Sequence, residues 1–452
     1  MKIVIAGAGA VGTHLSKLLS RDRQDCVLID EDPERLGDLD SRYDIMTIQG
    51  RTTSINTMKE AGVENADLFV GVTPDESRNM NACMIAHALG AKKTVARIDN
   101  FEYLDPARKE LFERMGINSL IFPEVLAAID ITNGLKMSWV RQRWDVHDGA
   151  LVLLGIKLRA TAEILNRPLR ELCGPDDPYL VVAVKRGDDT IIPSGLDELH
   201  ELDLVYFMTT QEYIPYIRKI VGKEHYEDVQ NVIIMGGGKT AVRAALTMPD
   251  YMNVKIIEQS AARCERLNQL LTGSDAMVIH GDGRDLSLLQ EENIKHTQAF
   301  VALTGNAETN ILACLTAKKL GVRKTVAMVE NLDYVSMAES LDIGTIINKK
   351  TVAASHIFQM MMHADVRNLR SLMMVEADVA EFAAVEGSRV TKKPVKDLAL
   401  PTGMTIGGLV RDGKGMLVSG LTQILPGDSV MVFCHKHQLE KAEKYFKKPV
   451  FW

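Results

Sequence analysis

Two glycine-rich segments are the parts of this sequence whose residue types and spacing could do chemistry. The first, Gly7-Ala8-Gly9-Ala10-Val11-Gly12, follows the apolar run KIVIA and opens a helical pattern. Gly7 would permit a tight turn, Gly9 would let the backbone approach a pyrophosphate, and Gly12 would let a strand and a helix pack closely. Because a helix N-terminus offers unpaired N–H donors, this segment predicts a dinucleotide-binding turn.

An acidic residue follows the first glycine segment where a ribose would need an acceptor. Asp30 ends the next apolar run, CVLID. Its carboxylate could accept hydrogen bonds from ribose hydroxyls and would repel a 2′-phosphate. NAD(H) or an adenine nucleotide is therefore favoured over NADP(H). The alternative interpretation of Asp30 is an exposed acid at a strand end.

The second glycine-rich segment is Gly236-Gly237-Gly238-Lys239-Thr240-Ala241, and the acid that ends its next apolar run is Glu258. Alanine replaces the third glycine, which this kind of turn tolerates. The letters GGGKT resemble a P-loop, but Val232 and Ile233 occupy the region where a P-loop has its first glycine. A second dinucleotide-binding turn is the better interpretation.

Both turns belong to a unit that occurs twice. Residues 72–100 align without gaps on 303–331, and the turn at Gly7 recurs at Gly236. Each unit alternates Val/Ile-rich runs with helical patterns, which indicates βαβ units and a parallel sheet. In the first unit we predict strands at 2–6, 26–30, 45–50, 68–73 and 94–99, with helices from about Val11 and from Asn79. The predicted fold class is α/β, with two Rossmann-like, doubly wound parallel-sheet domains.

A shorter segment with frequent turn signals follows each unit and predicts a small α+β domain. The first such tail is expected from about Val146 to Val221. Apolar helical stretches, Pro123 to Trp139 and Thr351 to His363, lead into the tails. Core packing is favoured for both, although the Met-rich segment 360–362 could also suit helix contacts between subunits. The expected domains are 1–140, 141–222, 229–365 and 370–452.

Further side chains could contact a nucleotide at the carboxyl edges of the sheets. Thr73 and Thr304 could hydrogen-bond it, or could cap the helices that follow. Arg97 could pair with a phosphate or form a surface salt bridge. Arg243 aligns with His14, so the second copy has a permanent cation on its first helical turn, unless Arg243 only lies on a solvated helix face.

The bulk composition excludes several classes of protein. The 452 residues are 46% hydrophobic and 25% charged, which is typical of a globular protein with more than one domain. The net charge of −7 without a long basic run disfavours nucleic-acid binding. Six scattered cysteines without a CxxC pair indicate neither a zinc ribbon nor a disulfide framework, and fit a reducing cytoplasm. The residues from Met1 to Ala6 do not show the pattern of a signal peptide, and no apolar run reaches ~18 residues, so any membrane role is expected to be peripheral.

These motifs together resemble the TrkA family, the regulatory subunits of bacterial Trk-type potassium uptake systems. The resemblance covers essentially the whole chain: two nucleotide-binding domains of the kind called KTN or RCK-N, each followed by a small RCK-C domain. Its motifs are GAGAVG with Asp30, GVTPDESRNMNAC, VARIDN, IFPEVLAAIDI, NRPLREL and LPGDSVMVF. The resemblance implies a cytoplasmic protein, peripheral on the inner face of the cell membrane, that forms a homo-oligomeric ring, expected to be a tetramer. It further implies control of potassium flux through a TrkH/TrkG-type membrane subunit by bound NAD(H), ATP or ADP.

The resemblance also assigns site residues. It places the first nucleotide site on Gly7 to Val11, Asp30, Thr73, Pro74 and Arg97, and the second on Gly236 to Thr240 and Glu258. It implies that Arg243 contacts the terminal phosphate of ATP. Relatives usually have an acidic residue directly after a glycine in another loop of the nucleotide-binding domain. The second half has this acid, Asp282 after Gly281, whereas the first half has Arg51 after Gly50. Glu124 lies in a region where relatives make subunit contacts and some bind a divalent ion, but no metal is predicted here.

Two other functions remain open. Dehydrogenases also contain Rossmann units, because a fold does not fix a function. Hydride transfer needs an acid or base such as His, Lys or Tyr opposite the nicotinamide. The short, duplicated tails show no such constellation, so no catalytic residue is expected. The second alternative is a stand-alone nucleotide sensor that has no membrane partner.

Overall fold

The computed structural model describes residues 1–21, 24–37, 39, 43, 45–174, 177–187, 189–331, 333–361, 366–372, 377–435 and 438–448. These residues form four sheets, which alternate along the chain between parallel and antiparallel. The predicted fold class is confirmed: two Rossmann-like parallel-sheet domains are each followed by a small domain built on an antiparallel sheet.

The first parallel sheet has the strand order β3-β2-β1-β4-β5-β6. Its strands are β1 (Lys2–Ala6), β2 (Asp25–Asp30), β3 (Met46–Gln49), β4 (Leu68–Gly71), β5 (Thr94–Arg97) and β6 (Ser119–Ile121). The central strands β1, from Ile3 onward, and β4 are apolar and fully buried because helices cover both faces of the sheet. The strand order reverses between β1 and β4, so a ligand crevice is expected at the carboxyl ends of these two strands.

The helices of this region are α1 (Ala10–Arg21), α2 (Pro33–Leu36), α3 (Ile55–Glu60), α4 (Glu76–Leu89), α5 (Lys109–Arg114) and α6 (Pro123–Leu135). Helix α4 begins at Glu76 and not at the predicted Asn79, because the Asp75 carboxylate caps it by accepting the Arg78 amide at 3.1 Å. Helix α6 ends at Leu135 and not at Trp139, after the poor helix former Gly134.

The first antiparallel sheet has the order β10-β9-β11-β8-β7. Its strands are β7 (Gln142–Val146), β8 (Leu151–Lys157), β9 (Tyr179–Arg186), β10 (Asp189–Ile191) and β11 (Leu204–Thr209), with helices α7 (Leu169–Leu172) and α8 (Ile214–Ile220). The sheet therefore begins at Gln142, before the predicted Val146, because Gln142 to Val146 pair with β8 as an edge strand.

The second parallel sheet repeats the first, with the order β14-β13-β12-β15-β16-β17. Its strands are β12 (Asn231–Met235), β13 (Asn253–Glu258), β14 (Met277–His280), β15 (Ala299–Ala302), β16 (Lys324–Met328) and β17 (Thr345–Ile347). Its helices are α9 (Lys239–Thr247), α10 (Ala261–Leu270), α11 (Leu286–Glu291), α12 (Ala307–Lys319), α13 (Asp333–Ser340) and α14 (Lys349–Met361). The duplication seen in the sequence is thus a duplication of topology.

The second antiparallel sheet has the order β18-β19-β22-β20-β21 and packs on the first. Its strands are β18 (Val366–Leu372), β19 (Ala377–Ala383), β20 (Met404–Arg411), β21 (Lys414–Leu417) and β22 (Ser429–His435), followed by helix α15 (Leu439–Phe446). Val182 and Phe433 belong to the core shared by the two sheets. Gly407 allows their close approach, because a Cβ there would lie 2.8 Å from the Val182 side chain.

The linking helices α6 and α14 contribute to two compact units, which combine segments that are distant in sequence. One unit comprises Met1–Leu126 with Lys349–Met362, and the other comprises Ala127–Asn348 with His363–Trp452. In the first unit, Ala353 and Ile357 of α14 are fully buried in the core that contains α1. In the second, Ile131 of α6 is buried among residues of β12 and α9. Both helices are therefore core helices.

The second predicted linking helix, Thr351 to His363, corresponds to α14, which begins earlier than predicted. Helix α14 begins at Lys349, before the predicted Thr351, and positions 362 and 363 and the side chains of Met360 and Met361 lie outside the described residues.

Within the described part of the chain, every helix is too short or too polar to cross a bilayer.

Candidate functional site

The first glycine turn gives each of its three glycines a different role. Gly7 has φ +115°, and a Cβ there would lie 2.9 Å from the Thr73 amide nitrogen. A Cβ at Gly12 would lie 1.9 Å from the Gly7 carbonyl oxygen, so only glycine lets α1 pack onto the turn. A Cβ at Gly9, by contrast, would have no atom within 4 Å. The space beside Gly9 is thus open to an approaching anion, at the N-terminus of α1.

The second turn has the same arrangement of glycines, except that alanine replaces the third one. Gly236 has φ +99°, and a Cβ at Gly238 would have no atom within 4 Å. Ala241 occupies the position of Gly12 and is fully buried, so its small methyl group fits between helix α9 and the sheet.

The strand-end acids are buried and hold the glycine turns. Asp30 is 7% exposed and accepts the Ala8 amide at 2.6 Å and the Asp32 amide at 2.9 Å. Glu258 is also 7% exposed and accepts the Gly237 and Ser260 amides, each at 2.9 Å. The alternative of an exposed strand-end acid is therefore wrong for Asp30. A carboxylate has about four lone-pair sites, so each acid retains capacity for a ribose hydroxyl.

A buried asparagine that sequence reasoning missed shapes the opposite wall of each site. Asn79 is 1% exposed; its Oδ1 accepts the Thr73 amide at 2.8 Å and the Thr73 hydroxyl at 2.7 Å. Its Nδ2 donates to the carbonyl oxygens of Thr73 and Arg97, both at 2.9 Å. Asn310 makes the same four contacts with Thr304 and Met328. An asparagine repeated inside both aligned helices, where it is a poor helix former, was the available signal.

These contacts change the interpretation of the threonines. The Thr73 hydroxyl donates to Asn79 and accepts the Asp75 amide at 3.3 Å. The residues that cap the following helices are Asp75 and Asn306. Thr73 and Thr304 therefore do not cap these helices directly. Because their hydroxyl hydrogens are donated to Asn79 and Asn310, these hydroxyls could contact a ligand only as hydrogen-bond acceptors.

Two crevices open at the carboxyl edges of the parallel sheets. The first crevice has a volume of about 50 Å³ and is lined by Gly7, Gly9, Asp30, Glu31, Arg35, Thr52, Thr73, Pro74 and Arg78. The second crevice has a volume of about 440 Å³. Its lining contains Gly236, Gly237, Gly238, Glu258, Gln259, Arg263, Asp282, Arg284, Thr304, Asn306 and Thr309, among others.

The crevices bring together most of the predicted site residues, but not all. The lining of the two crevices does not include Ala8, Ala10, Val11, Gly12, Arg97, Lys239, Thr240 or Arg243. Arg97 is partly exposed at the end of β5, one strand beyond β4. Burial lowers the pKa of Arg243, which lies on the first turns of α9. A role for Arg97 or Arg243 would require a ligand that extends beyond the crevice.

Of the charged side chains at the crevice mouths, Asp282 was expected from the sequence, whereas Arg284, Glu31 and Arg78 were not. In the second crevice, Asp282 accepts hydrogen bonds from Arg284 at 2.6 Å and from Gln259 at 2.8 Å. The hydrogen bond from Arg284 is the main cause that lowers the pKa of Asp282 to about 2. In the first crevice, the Arg78 guanidinium lies 3.1 Å from a carboxylate oxygen of Glu31. The pairs Glu31–Arg78 and Gln259–Asp282 each join distant segments of the chain, which no local pattern reveals, whereas Asp282 and Arg284 lie two positions apart in one loop.

Glu124 lies away from both crevices. Its carboxylate accepts a hydrogen bond from the Lys349 ammonium at 3.3 Å. Over the described ranges, no group of three or more His, Cys, Asp or Glu side chains has an arrangement that could hold a metal ion.

Two known domain families and several solved structures are similar to this chain. The model of the TrkA-N domain matches residues 3–123 and 232–349, and that of the TrkA-C domain matches residues 379–447. The GsuK channel bound to NAD has a TM-score of 0.60 at 15% identity, over 98% of this chain and 78% of that one. The GsuK RCK domain has the same TM-score and identity, over 98% and 94% of the two chains. At this identity, the structural likeness shows the fold alone.

Curated relatives match over their full length. The Trk system potassium uptake protein TrkA of Halomonas elongata is 30% identical, and that of Azorhizobium caulinodans is 28% identical, each over 99% of both chains. The protein of the same name from Vibrio alginolyticus is 29% identical over 100% of both chains. Since the domain model covers both nucleotide units and the relatives span the whole chain, the chain belongs to the TrkA family of Trk system potassium uptake proteins.

Proposed function

We propose that this chain is the nucleotide-binding regulatory subunit of a potassium uptake system and gates potassium flux through a TrkH/TrkG-type membrane subunit. NAD(H), ATP and ADP are its ligands. It acts as a homo-oligomeric ring, a tetramer, at the cytoplasmic face of the membrane. The names of its relatives support the potassium uptake system. The observation that carries the nucleotide part is the duplicated turn whose amides are bonded to a buried acid, Ala8 to Asp30 and Gly237 to Glu258.

The geometry of the crevices supports nucleotides as the ligands. Each crevice lies at the point where the strand order of a parallel sheet reverses, which is where such sheets bind their ligands. Each crevice has open space beside a glycine and an acidic residue that can accept a hydrogen bond from a ribose hydroxyl. One structural neighbour is described as a channel bound to NAD. An acid at each strand end disfavours the 2′-phosphate of NADP(H).

The residues proposed to contact nucleotide are those expected from the sequence. In the first half they are Gly7, Ala8, Gly9, Ala10, Val11, Gly12, Asp30, Thr73, Pro74 and Arg97. In the second half they are Gly236, Gly237, Gly238, Lys239, Thr240, Arg243, Glu258, Asp282 and Thr304. The proposed domains are 1–140, 141–222, 229–365 and 370–452, although the compact units regroup the linking helices.

Regulation is favoured over catalysis. Hydride transfer would need a general acid or base beside the nicotinamide. The first crevice has an aspartate, a glutamate and two arginines but no His, Lys or Tyr in its lining. Purified protein is expected to bind NADH without oxidising it in the presence of 2-hydroxy acids, sugars or aldehydes.

Growth at limiting potassium tests the proposal in cells. Deletion of the gene should slow growth at low potassium, and the wild-type gene should restore it. A gene encoding Asp30→Ala together with Glu258→Ala should restore growth less well at equal protein level. A tagged wild-type chain should also co-purify with a multi-span membrane protein. Normal growth without the gene and absence from membranes would instead support a stand-alone nucleotide sensor.

A further inference from the structure

A charged pair stands across the first glycine turn. Glu31 directly follows β2, and Arg78 lies in the first turn of α4, which follows β4. Their side chains meet at 3.1 Å, although β1 and its glycine turn lie between β2 and β4 in the sheet. Both residues line the first crevice. The pair thus bridges the two walls between which a nucleotide would lie.

The second copy has uncharged residues at the same two positions. Gln259 follows Glu258 as Glu31 follows Asp30, and Thr309 aligns with Arg78. The Gln259 amide instead donates to Asp282 at 2.8 Å, and the Thr309 backbone amide donates to Asn306 at 2.6 Å. Both residues line the second crevice, so that crevice has no bridge at this place.

The first crevice, which the charged pair bridges, has a smaller volume than the second crevice, which has uncharged residues at these positions. Sites for small ligands typically have ~300–1,000 Å³. The second crevice, at about 440 Å³, falls in that range, whereas the first, at about 50 Å³, does not. The first glycine of each turn has a positive φ, and each turn is bonded to a buried acid. The difference therefore arises from the side chains around the turns, and the buried Thr52, which aligns with Gly283 of the second copy, is a second contributor.

We propose that Glu31 and Arg78 form a latch over the first nucleotide site, which binds its ligand only after this pair has separated, whereas the second site is open. Both side chains are 44% exposed, and such pairs are weak and screened by salt. Separation of the pair therefore costs little free energy, so a ligand can still bind. This cost lowers the apparent affinity of the first site relative to the second. This inference rests on the proposed function and adds a difference in regulation between its two sites.

Binding of NADH by the full chain tests the latch. In a Glu258→Ala background, which weakens the second site, Arg78→Thr and Glu31→Gln should each raise first-site affinity, by up to about fivefold for an exposed pair. The double variant should bind no more tightly than the better single variant, because one interaction is lost in all three. Lys109→Thr breaks the exposed pair with Glu113 away from the crevices and should leave affinity unchanged.

Introducing the latch into the second copy is the reciprocal test. In an Asp30→Ala background, Gln259→Glu with Thr309→Arg should lower second-site affinity. A loss of affinity with Arg78→Thr or Glu31→Gln would contradict the latch and make the replaced residue a ligand contact. Unchanged affinity in every variant, with wild-type thermal unfolding, would overturn the latch while leaving the proposed function intact. Absence of nucleotide binding to the wild-type chain would overturn both.

Discussion

The Asp30 carboxylate accepts the Ala8 amide at 2.6 Å, and this bond ties the end of β2 to the glycine turn that follows β1. Glu258 and Gly237 repeat the relationship in the second half of the chain. In both halves the acid thus holds the turn, and the same carboxylate could accept a hydrogen bond from a ribose hydroxyl.

Replacement of this acid should weaken nucleotide binding. Asp30→Ala removes the proposed ribose acceptor and the partner of the Ala8 and Asp32 amides. Hydrogen bonds to charged groups contribute ~1.5–3 kcal/mol each, so first-site NADH affinity should fall about tenfold or more. Calorimetry on the full chain measures this, with Asp67→Ala, which breaks the pair with Lys92, as the control. Unchanged affinity in Asp30→Ala would mean that Asp30 only shapes the turn.

The two sites should differ in their preference for ATP. Arg243 adds a permanent cation on α9, where the first copy has His14 on α1. Arg243→Ala should reduce ATP affinity by about tenfold, because it removes the proposed charge-assisted bond to the terminal phosphate, and should affect ADP and NADH less. Titration of the same preparation with the three nucleotides compares these losses directly. Equal losses for all three would show that Arg243 acts only as a general surface charge.

The buried asparagines should matter for stability. Asn79→Ala leaves the Thr73 amide and the carbonyl oxygens of Thr73 and Arg97 without their side-chain partner. Each unsatisfied buried group costs ~1–3 kcal/mol, so with three such groups the free energy of unfolding should fall by about 3 kcal/mol or more in urea titrations. The exposed Asn65→Ala should change it by less than about 0.5 kcal/mol. A similar small change in Asn79→Ala would show that water replaces these bonds.

Lys324 should make stability depend on pH. It is 2% exposed and donates to the Val140 carbonyl oxygen and, at 3.2 Å, to the Thr345 hydroxyl. Burial, and then repulsion from Arg141, lower its pKa from 10.5 to about 7. Between these two values the unfolded chain binds more protons than the folded chain, so the free energy of unfolding should rise with pH, by at most ~1.4 kcal/mol per pH unit.

The aligned lysine of the first copy provides the control for this pH dependence. Lys93 occupies the position of Lys324 in the repeat but is exposed. Lys324→Met should flatten the rise in stability between pH 7 and about 9, whereas Lys93→Met should keep it. Urea unfolding at several pH values measures both slopes. If Lys324→Met retains the wild-type slope, other groups carry the pH dependence.

Patterns local in sequence were sufficient to predict the fold. The glycine turns, the strand-end acids and the repeat at 72–100 and 303–331 predicted two doubly wound sheets, and the strand orders agree. The boundaries that shifted have local causes in the structure. Helix α4 starts early because Asp75 caps it, and the first small sheet starts early because Gln142 to Val146 pair with β8.

Contacts between distant segments could not be predicted. Glu31 and Arg78 lie 47 positions apart, and each alone is an ordinary charged residue at the start of a loop or helix. Asn79 gives a weak local signal, but its four bonds depend on where β4 and β5 end in the sheet. The unequal volumes of the crevices likewise follow from side chains that meet only in the folded chain.

Potassium flux into vesicles that contain the membrane subunit and this chain is the most direct test of the central claim. A nucleotide with a tenfold preference for one conformation contributes ~1.4 kcal/mol per site, and several sites in a ring would sum to a usable switch. We expect flux to change when ATP, ADP or NADH is added with the wild-type chain, and to respond much less with the Asp30→Ala and Glu258→Ala double variant. Flux that is identical with and without the chain for all three nucleotides would contradict the regulatory function, whatever the two crevices bind.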